Sequence, residues 1–158
     1  MKIVLVAINA KYIHANLAVC SLRAFSDEYK EQIQIKEYTI NQIRDEILKD
    51  IYLEQPDVIC FSCYIWNVSF VKELVPDLKK ILPDADLVAF SCYIWNMGMV
   101  EELTELLHQI RPDMPIWFGG PEVSYDAAEC LERNPGVTGV IRGEGEETFH
   151  ELMQYYID

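Results

Sequence analysis

Asp57-Val58-Ile59-Cys60-Phe61-Ser62-Cys63-Tyr64-Ile65-Trp66-Asn67 begins with an apolar run in which no polar residue interrupts either side until Ser62. A strand that is apolar on both faces belongs in a parallel sheet covered by helices on both sides. The same reading applies to Lys2–Ile8 (KIVLVAI) and to Asp86–Cys92 (DLVAFSC). The last of these is a copy of the first stretch. Phe61-Ser62-Cys63-Tyr64-Ile65-Trp66-Asn67 returns letter for letter as Phe90-Ser91-Cys92-Tyr93-Ile94-Trp95-Asn96, 29 residues later. Aligning 57–84 with 86–113 gives 15 identities in 28 positions, including Val71 with Val100, Leu74 with Leu103, Ile81 with Ile110 and Pro83 with Pro112. One strand and its helix are therefore duplicated. Two copies are too few for a solenoid, which needs about three to bury its faces. An extra strand and helix within one open sheet is the economical placement.

Working outward, six apolar runs alternate with six amphipathic stretches. The runs are Lys2–Ile8, Ile33–Tyr38, Asp57–Cys63, Asp86–Cys92, Pro115–Phe118 and Val137–Ile141. Helices are predicted over Asn16–Tyr29, Asn41–Gln55, Asn67–Leu82, Asn96–Arg111, Tyr125–Arg133 and Glu146–Tyr156. Leu103, Leu106, Leu107 and Ile110 recur at three- and four-residue steps, the spacing of a helix face packed on a sheet. Asn67 and Asn96 suit N-cap positions, and Pro83 and Pro112 fall where helices should stop. The predicted fold class is α/β: a doubly wound, open parallel sheet of about six strands, flavodoxin-like or Rossmann-like. No stretch has a linker's composition, so residues 1–158 read as one domain.

The chain has 158 residues, 51% hydrophobic and 25% charged, and 26 acidic against 13 basic residues give a net charge of −13. Such a field repels phosphates, which argues against nucleic acid and anionic membrane surfaces as partners. The first apolar run is too short for a signal-peptide core or a membrane span, so a cytoplasmic location is expected. Cys20, Cys60, Cys63, Cys92 and Cys130 are odd in number and lie mostly within apolar runs, where a free thiol behaves as a small hydrophobe. Cys60 and Cys63 form a C-x-x-C, but their odd offset in a strand sends the side chains to opposite faces, and no second pair supplies a zinc site.

In open parallel sheets ligands bind beyond the carboxyl ends of the strands, where strand order reverses. The loops there are Asn9-Ala10-Lys11-Tyr12-Ile13-His14-Ala15-Asn16, Ser62–Asn67 with its copy Ser91–Asn96, Gly119-Gly120-Pro121-Glu122, and Gly143-Glu144-Gly145-Glu146-Glu147. The first contains no glycine, and neither dinucleotide nor P-loop fingerprint occurs. Gly119 and Gly120 suit either a tight turn before Pro121 or the close approach of something bulky. Ser62 and Tyr64 would share one side of a strand, as pocket groups or as core residues. Trp66 and Trp95 could wall a pocket, with core packing favoured. His14 is the one histidine in a rim loop, His108 and His150 falling in helices as solvated residues. Glu144, Glu146 and Glu147 read chiefly as helix-start chemistry. No catalytic triad, H-E-x-x-H or cluster-binding cysteine run occurs, so the chain reads as a binding module.

These loops, together with Lys2–Ile8, Gly119-Gly120-Pro121-Glu122-Val123-Ser124 and Gly143-Glu144-Gly145-Glu146, resemble the N-terminal cobalamin-binding domain of cobalamin-dependent radical S-adenosylmethionine proteins, over essentially the whole chain. Radical methyltransferases and anaerobic magnesium-protoporphyrin monomethyl ester cyclases share this arrangement. The resemblance implies cobalamin as cofactor and a radical S-adenosylmethionine catalytic domain as partner; the iron–sulfur cluster and S-adenosylmethionine would belong to that domain, absent from this chain. It places Asn9, Ala10, Lys11, Tyr12 and His14 in the segment facing the corrin and its tail. Ser62, with Tyr64 nearby, is similar to the hydroxyl that meets the benzimidazole. Gly119 and Gly120, with Glu122 and Gly143 in the neighbouring loops, resemble the glycine passage for the tail. Cobalamin domains of the methionine synthase type carry D-x-H-x-x-G; here Tyr12 stands for the Asp and Leu17 for the Gly, and Ser62-Cys63-Tyr64 departs from S-x-L. The resemblance therefore implies cobalamin without a histidine on cobalt, since no Asp orients His14. The first repeat copy is expected to line the pocket, in a strand order second, first, third, repeat, fifth, sixth. The rival reading is a cofactor-free interaction or regulatory module on the same fold. A phosphoacceptor receiver lacks its acidic cluster here, and a flavin protein lacks its phosphate loop.

Overall fold

The computed structural model describes residues 1–10, 15–83 and 87–157. The strands are β1 (Ile3–Asn9), β2 (Ile33–Thr39), β3 (Val58–Ser62), β4 (Leu87–Ser91), β5 (Ile116–Gly119) and β6 (Gly139–Ile141). The helices are α1 (Leu17–Phe25), α2 (Arg44–Glu54), α3 (Val68–Ile81), α4 (Met97–Ile110), α5 (Pro121–Ser124), α6 (Ala127–Arg133) and α7 (Gly145–Ile157). The six strands form one sheet in the order β2-β1-β3-β4-β5-β6, and every pairing is parallel. This is the order expected from the sequence, with the repeated strand β4 inserted between β3 and β5. Strand order reverses between β1 and β3, where Ala7 pairs with Ser62.

Alternate residues feed two apolar layers. Val4, Val6 and Ile8 of β1, Ile59 and Phe61 of β3, and Val88 and Phe90 of β4 pack with Ile47 and Ile51 of α2, Val71 and Leu74 of α3, and Leu103 and Leu107 of α4. Ile3 and Leu5, Val58 and Cys60, Leu87 and Ile141 face the other way, onto Val19 of α1 and Phe149, Leu152 and Met153 of α7. The duplicated helix α4 thus lies on the same face as α3. The repeat widens the opposite face by one strand without adding a helix to cover it, and that asymmetry positions the site.

Four local expectations are corrected. The first helix stops at Phe25, and Asp27–Tyr29 forms a separate 3₁₀ turn. In α4 the buried stripe is Val100, Leu103, Thr104 and Leu107, while Leu106 and Ile110 face outward, because the sheet takes the neighbouring helical diagonal. Asn67 and Asn96 stand at the N-cap positions but do not cap with their side chains. The short helix α5, within the Gly-Gly-Pro loop, is additional. No described helix is long and apolar enough to cross a membrane.

Candidate binding slot at the carboxyl edge of the sheet

A cavity of about 200 Å³ opens on the face shared by α1 and α7. Its floor is Leu5, Cys60, Ala89 and Ile141 from four strands; Ala18, Val19 and Leu22 of α1 form one wall, and Glu146 and Phe149 of α7 another. Ser62, Ser91, Gly119, Gly120 and Gly143 stand along it at the carboxyl ends of β3 to β6 or just beyond. The duplication therefore supplies two serines to one slot, where the sequence pointed to the first copy alone.

Ser62 is buried, and its Oγ accepts a hydrogen bond from Nδ2 of Asn16 at 3.3 Å, which leaves its hydroxyl proton to donate. Asn16 also caps α1 through Oδ1 and Val19 N–H. Its own N–H donates to Glu37 Oε1 at 2.8 Å, the carboxylate oxygen that also takes Asn9 Nδ2 at 3.3 Å. Glu37 on β2 so brackets both ends of the first rim loop. On the α7 side the Ser21 hydroxyl donates to Glu146 at 2.7 Å and holds that carboxyl below its ordinary range. Burial pushes the thiols of Cys60 and Cys63 up to about 12, and they do lie in opposite apolar layers.

The glycines have separate reasons. Gly119 faces the slot beside Ile141, where a Cβ would sit 3.4 Å from that side chain and anything longer would enter the cavity. Gly120 has φ +109°, and a Cβ there would lie 2.5 Å from the Cys92 carbonyl oxygen, so backbone, not ligand, demands it. The tight backbone approach accounts for Gly120, while Gly119 borders the cavity beside Ile141.

Beyond the strand ends the repeated Y-I-W segments build a ladder of rings. Trp66 stacks on Tyr64 with centroids 4.6 Å apart, Tyr64 on Tyr93 at 5.7 Å, and Tyr93 on Trp95 at 4.9 Å. Burial raises the Tyr93 phenol, which also hydrogen-bonds with Ser91 and so ties the ladder to the slot. Because β3 ends at Ser62, Tyr64 belongs to this stack and not to the strand, and it is absent from the slot walls. Trp66 and Trp95 are 46% and 49% exposed, and so are not core plugs as expected.

Of the remaining expected residues, Asn9 and Ala10 end β1 and follow it, away from the slot walls. Glu122 is exposed on α5 and also stays outside. Lys11, Tyr12 and His14 lie outside the described residues. His108 is exposed, whereas His150 packs on Phe25 and Tyr29 with Nε2 3.0 Å from Glu28. Sequence reasoning missed Glu37 and Phe149; it read Glu146 in the last rim loop chiefly as helix-start chemistry and passed over Ser91 in favour of the first repeat copy.

The B12 binding domain model matches residues 3–85 and again residues 82–153, the two matches meeting between the repeat copies. This chain belongs to the B12-binding domain family. The B12-binding domain also superposes on the cobalamin-dependent S-adenosylmethionine radical enzyme OxsB with aqua-cobalamin and S-adenosylmethionine bound, at TM-score 0.55 and 16% identity over 99% of this chain and 18% of that one. OxsB with aqua-cobalamin alone gives TM-score 0.55 with 16% identity, covering 99% of this chain and 19% of OxsB. The apo enzyme gives TM-score 0.51 at 16% identity, covering 99% and 18%. The domain thus spans under a fifth of the OxsB chains, and the likeness is one of fold. No curated protein sequence matches it.

The slot's chemistry fits a flat heteroaromatic base on a polar tether. The walls are apolar, hydroxyls stand at the rim, and position 119 carries no side chain. Among the described residues no cluster of His, Cys, Asp and Glu forms a metal centre.

Proposed function

We propose that this B12-binding domain holds cobalamin by taking its nucleotide tail into the slot at the β1–β3 switch point, and presents the corrinoid to a radical S-adenosylmethionine catalytic domain. The observation that carries this reading is a cavity that stays open beside Gly119 over a largely apolar floor, walled in part by the buried Val19 and Phe149. Ser62, with its oxygen engaged by Asn16, offers its proton to a ring nitrogen of the tail base, and Ser91 offers a second hydroxyl one strand away. Apolar contact with Val19, Leu22 and Phe149 excludes water from the base. The cofactor supplies methyl-transfer or radical chemistry at cobalt; the protein supplies binding and orientation. Residues 1–158 act as one binding unit, and His14, without an acidic partner in sequence, leaves cobalt without a histidine ligand.

The test is to mix the purified domain with hydroxocobalamin, remove free corrinoid by desalting and record the visible spectrum. Retained corrinoid bands support the reading, and complete loss of colour favours a cofactor-free interaction module. With corrinoid retained, His14→Ala is expected to leave the bands unshifted; a clear shift would overturn the histidine-free assignment.

A further inference from the structure

Gly120 and Gly143 line the slot and, from their other side, an outer hollow completed by Pro121, Ser124, Tyr125 and Arg142. Ser124 holds the hollow together. Its Oγ donates to the Gly120 carbonyl at 2.8 Å and accepts from Gly143 N–H at 3.0 Å, bridging the loops after β5 and β6. Its carbonyl accepts from Arg142 Nε at 3.3 Å, which anchors the guanidinium at one nitrogen and leaves its two terminal nitrogens as donors.

Among the described residues Arg142 shares with Arg23 and Lys49 the lack of an ion pair, but where the Arg23 guanidinium donates to the carbonyls of Ile33 and Lys30, Arg142 spends only Nε on the backbone. Carboxylates outnumber cations 26 to 13, and Lys2, Lys36, Arg44, Lys72, Arg111 and Arg133 each pair with one. Among the described residues Arg142 forms no ion pair. An exposed, pre-anchored guanidinium fork beside an apolar slot is suited to a phosphate group, which it can meet through two parallel N–H···O bonds.

We infer that the hollow at Arg142 is a phosphodiester subsite, which takes the phosphate linking the corrin side chain to the nucleotide when the base occupies the slot. This rests on the cobalamin reading above and adds to it a residue that distinguishes complete cobalamin from corrinoids lacking the nucleotide. Arg142 acts as a binding residue with no part in the chemistry, and because it is exposed its replacement should leave folding intact.

The experiment titrates the wild-type domain, Arg142→Gln and Arg142→Lys with hydroxocobalamin and with hydroxocobinamide, which has no nucleotide, at low and high salt. Arg142→Gln is expected to weaken hydroxocobalamin about tenfold, Arg142→Lys less, with hydroxocobinamide and the unfolding midpoint unchanged. The wild-type preference for cobalamin should fall with salt and that of Arg142→Gln should not. Equal hydroxocobalamin affinity in wild type and Arg142→Gln, or an equal loss for both corrinoids, would overturn the assignment. Inorganic phosphate that competes as well as α-ribazole 3′-phosphate would overturn the tail as occupant. α-Ribazole 3′-phosphate titrated alone separates the two readings. If no corrinoid binds yet this nucleotide binds wild type and not Arg142→Gln, the cobalamin reading fails and the subsite stands. If neither binds, both fail.

Discussion

Asn67 and Asn96 make the same hydrogen bonds one strand apart. Asn67 Oδ1 accepts from Tyr64 N–H at 2.7 Å, and its Nδ2 donates to the carbonyls of Ser62 and Ile8, both at 2.8 Å. Asn96 Oδ1 accepts from Tyr93 N–H at 2.7 Å, and its Nδ2 donates to Ser91 at 2.9 Å and Cys63 at 3.0 Å. Each amide closes its own loop and stitches it to the end of the preceding strand, β1 for Asn67 and the β3 loop for Asn96. Neither is exposed at all, so replacement leaves buried backbone carbonyls without donors. Asn67→Ala and Asn96→Ala should each cost about 2–4 kcal/mol in urea unfolding. Asn67→Asp should be at least as damaging, because a carboxylate cannot donate to Ile8 and Ser62. Unchanged stability in either alanine variant would contradict the stitching role.

That pairing shows where sequence reasoning reached and where it stopped. The strand runs, their two-sided apolarity and the repeat put every strand on the page, and the family resemblance supplied the sheet order. The role of Asn67 could not be read, because an N-cap and a loop stitch require the same residue at the same place. The choice depends on whether a neighbouring strand end offers a carbonyl. Glu37 and Phe149 were invisible for a similar reason: both reach the site from elements distant in sequence. The slot itself follows from a three-dimensional accident, α4 falling on the same face as α3 and leaving Ala89 under open space.

The two glycines with positive φ should respond differently. Gly120→Ala drives a Cβ to 2.5 Å from the Cys92 carbonyl oxygen at φ +109° and is expected to cost about 3 kcal/mol or more. Gly143 has φ +71° with nothing within 4 Å of its would-be Cβ, so Gly143→Ala should cost about 1–2 kcal/mol from backbone strain alone. Equal losses in denaturant unfolding would refute the close-approach argument.

Acid should weaken the β2 edge. Hydrogen bonds from Lys2 first and Lys36 second bring the Glu54 carboxyl down to about 2, from an ordinary 4.5. A carboxyl depressed in the folded state binds fewer protons there than in the unfolded chain between those two values. Its contribution is therefore complete above about pH 5 and fades as pH falls toward 2. Unfolding free energy measured across that window should drop less steeply for Glu54→Gln than for wild type; parallel curves would exclude the Lys2–Glu54–Lys36 group as a source of acid sensitivity.

Thiol labelling reports on the layers. Cys60, Cys63, Cys92 and Cys130 are buried, and burial raises all four thiols, whereas Cys20 on α1 is only partly covered. A neutral aromatic disulfide reagent should modify Cys20 quickly in the native domain and all five thiols in denaturant, Cys60 reacting slowly although it floors the slot because burial holds its thiol protonated. Rapid native labelling of two or more would mean that the sheet faces open more readily than their packing implies.

The slot can be closed without breaking the core. Ala89 lies on its floor, so Ala89→Phe should fill space that the folded chain leaves free and keep or raise the unfolding midpoint. Hydroxocobalamin titrated into wild type and Ala89→Phe, with both midpoints measured, is the decisive comparison. Wild type should retain the corrinoid and a folded Ala89→Phe should lose it. Equal retention by the two proteins would mean that the nucleotide tail does not enter between α1 and α7.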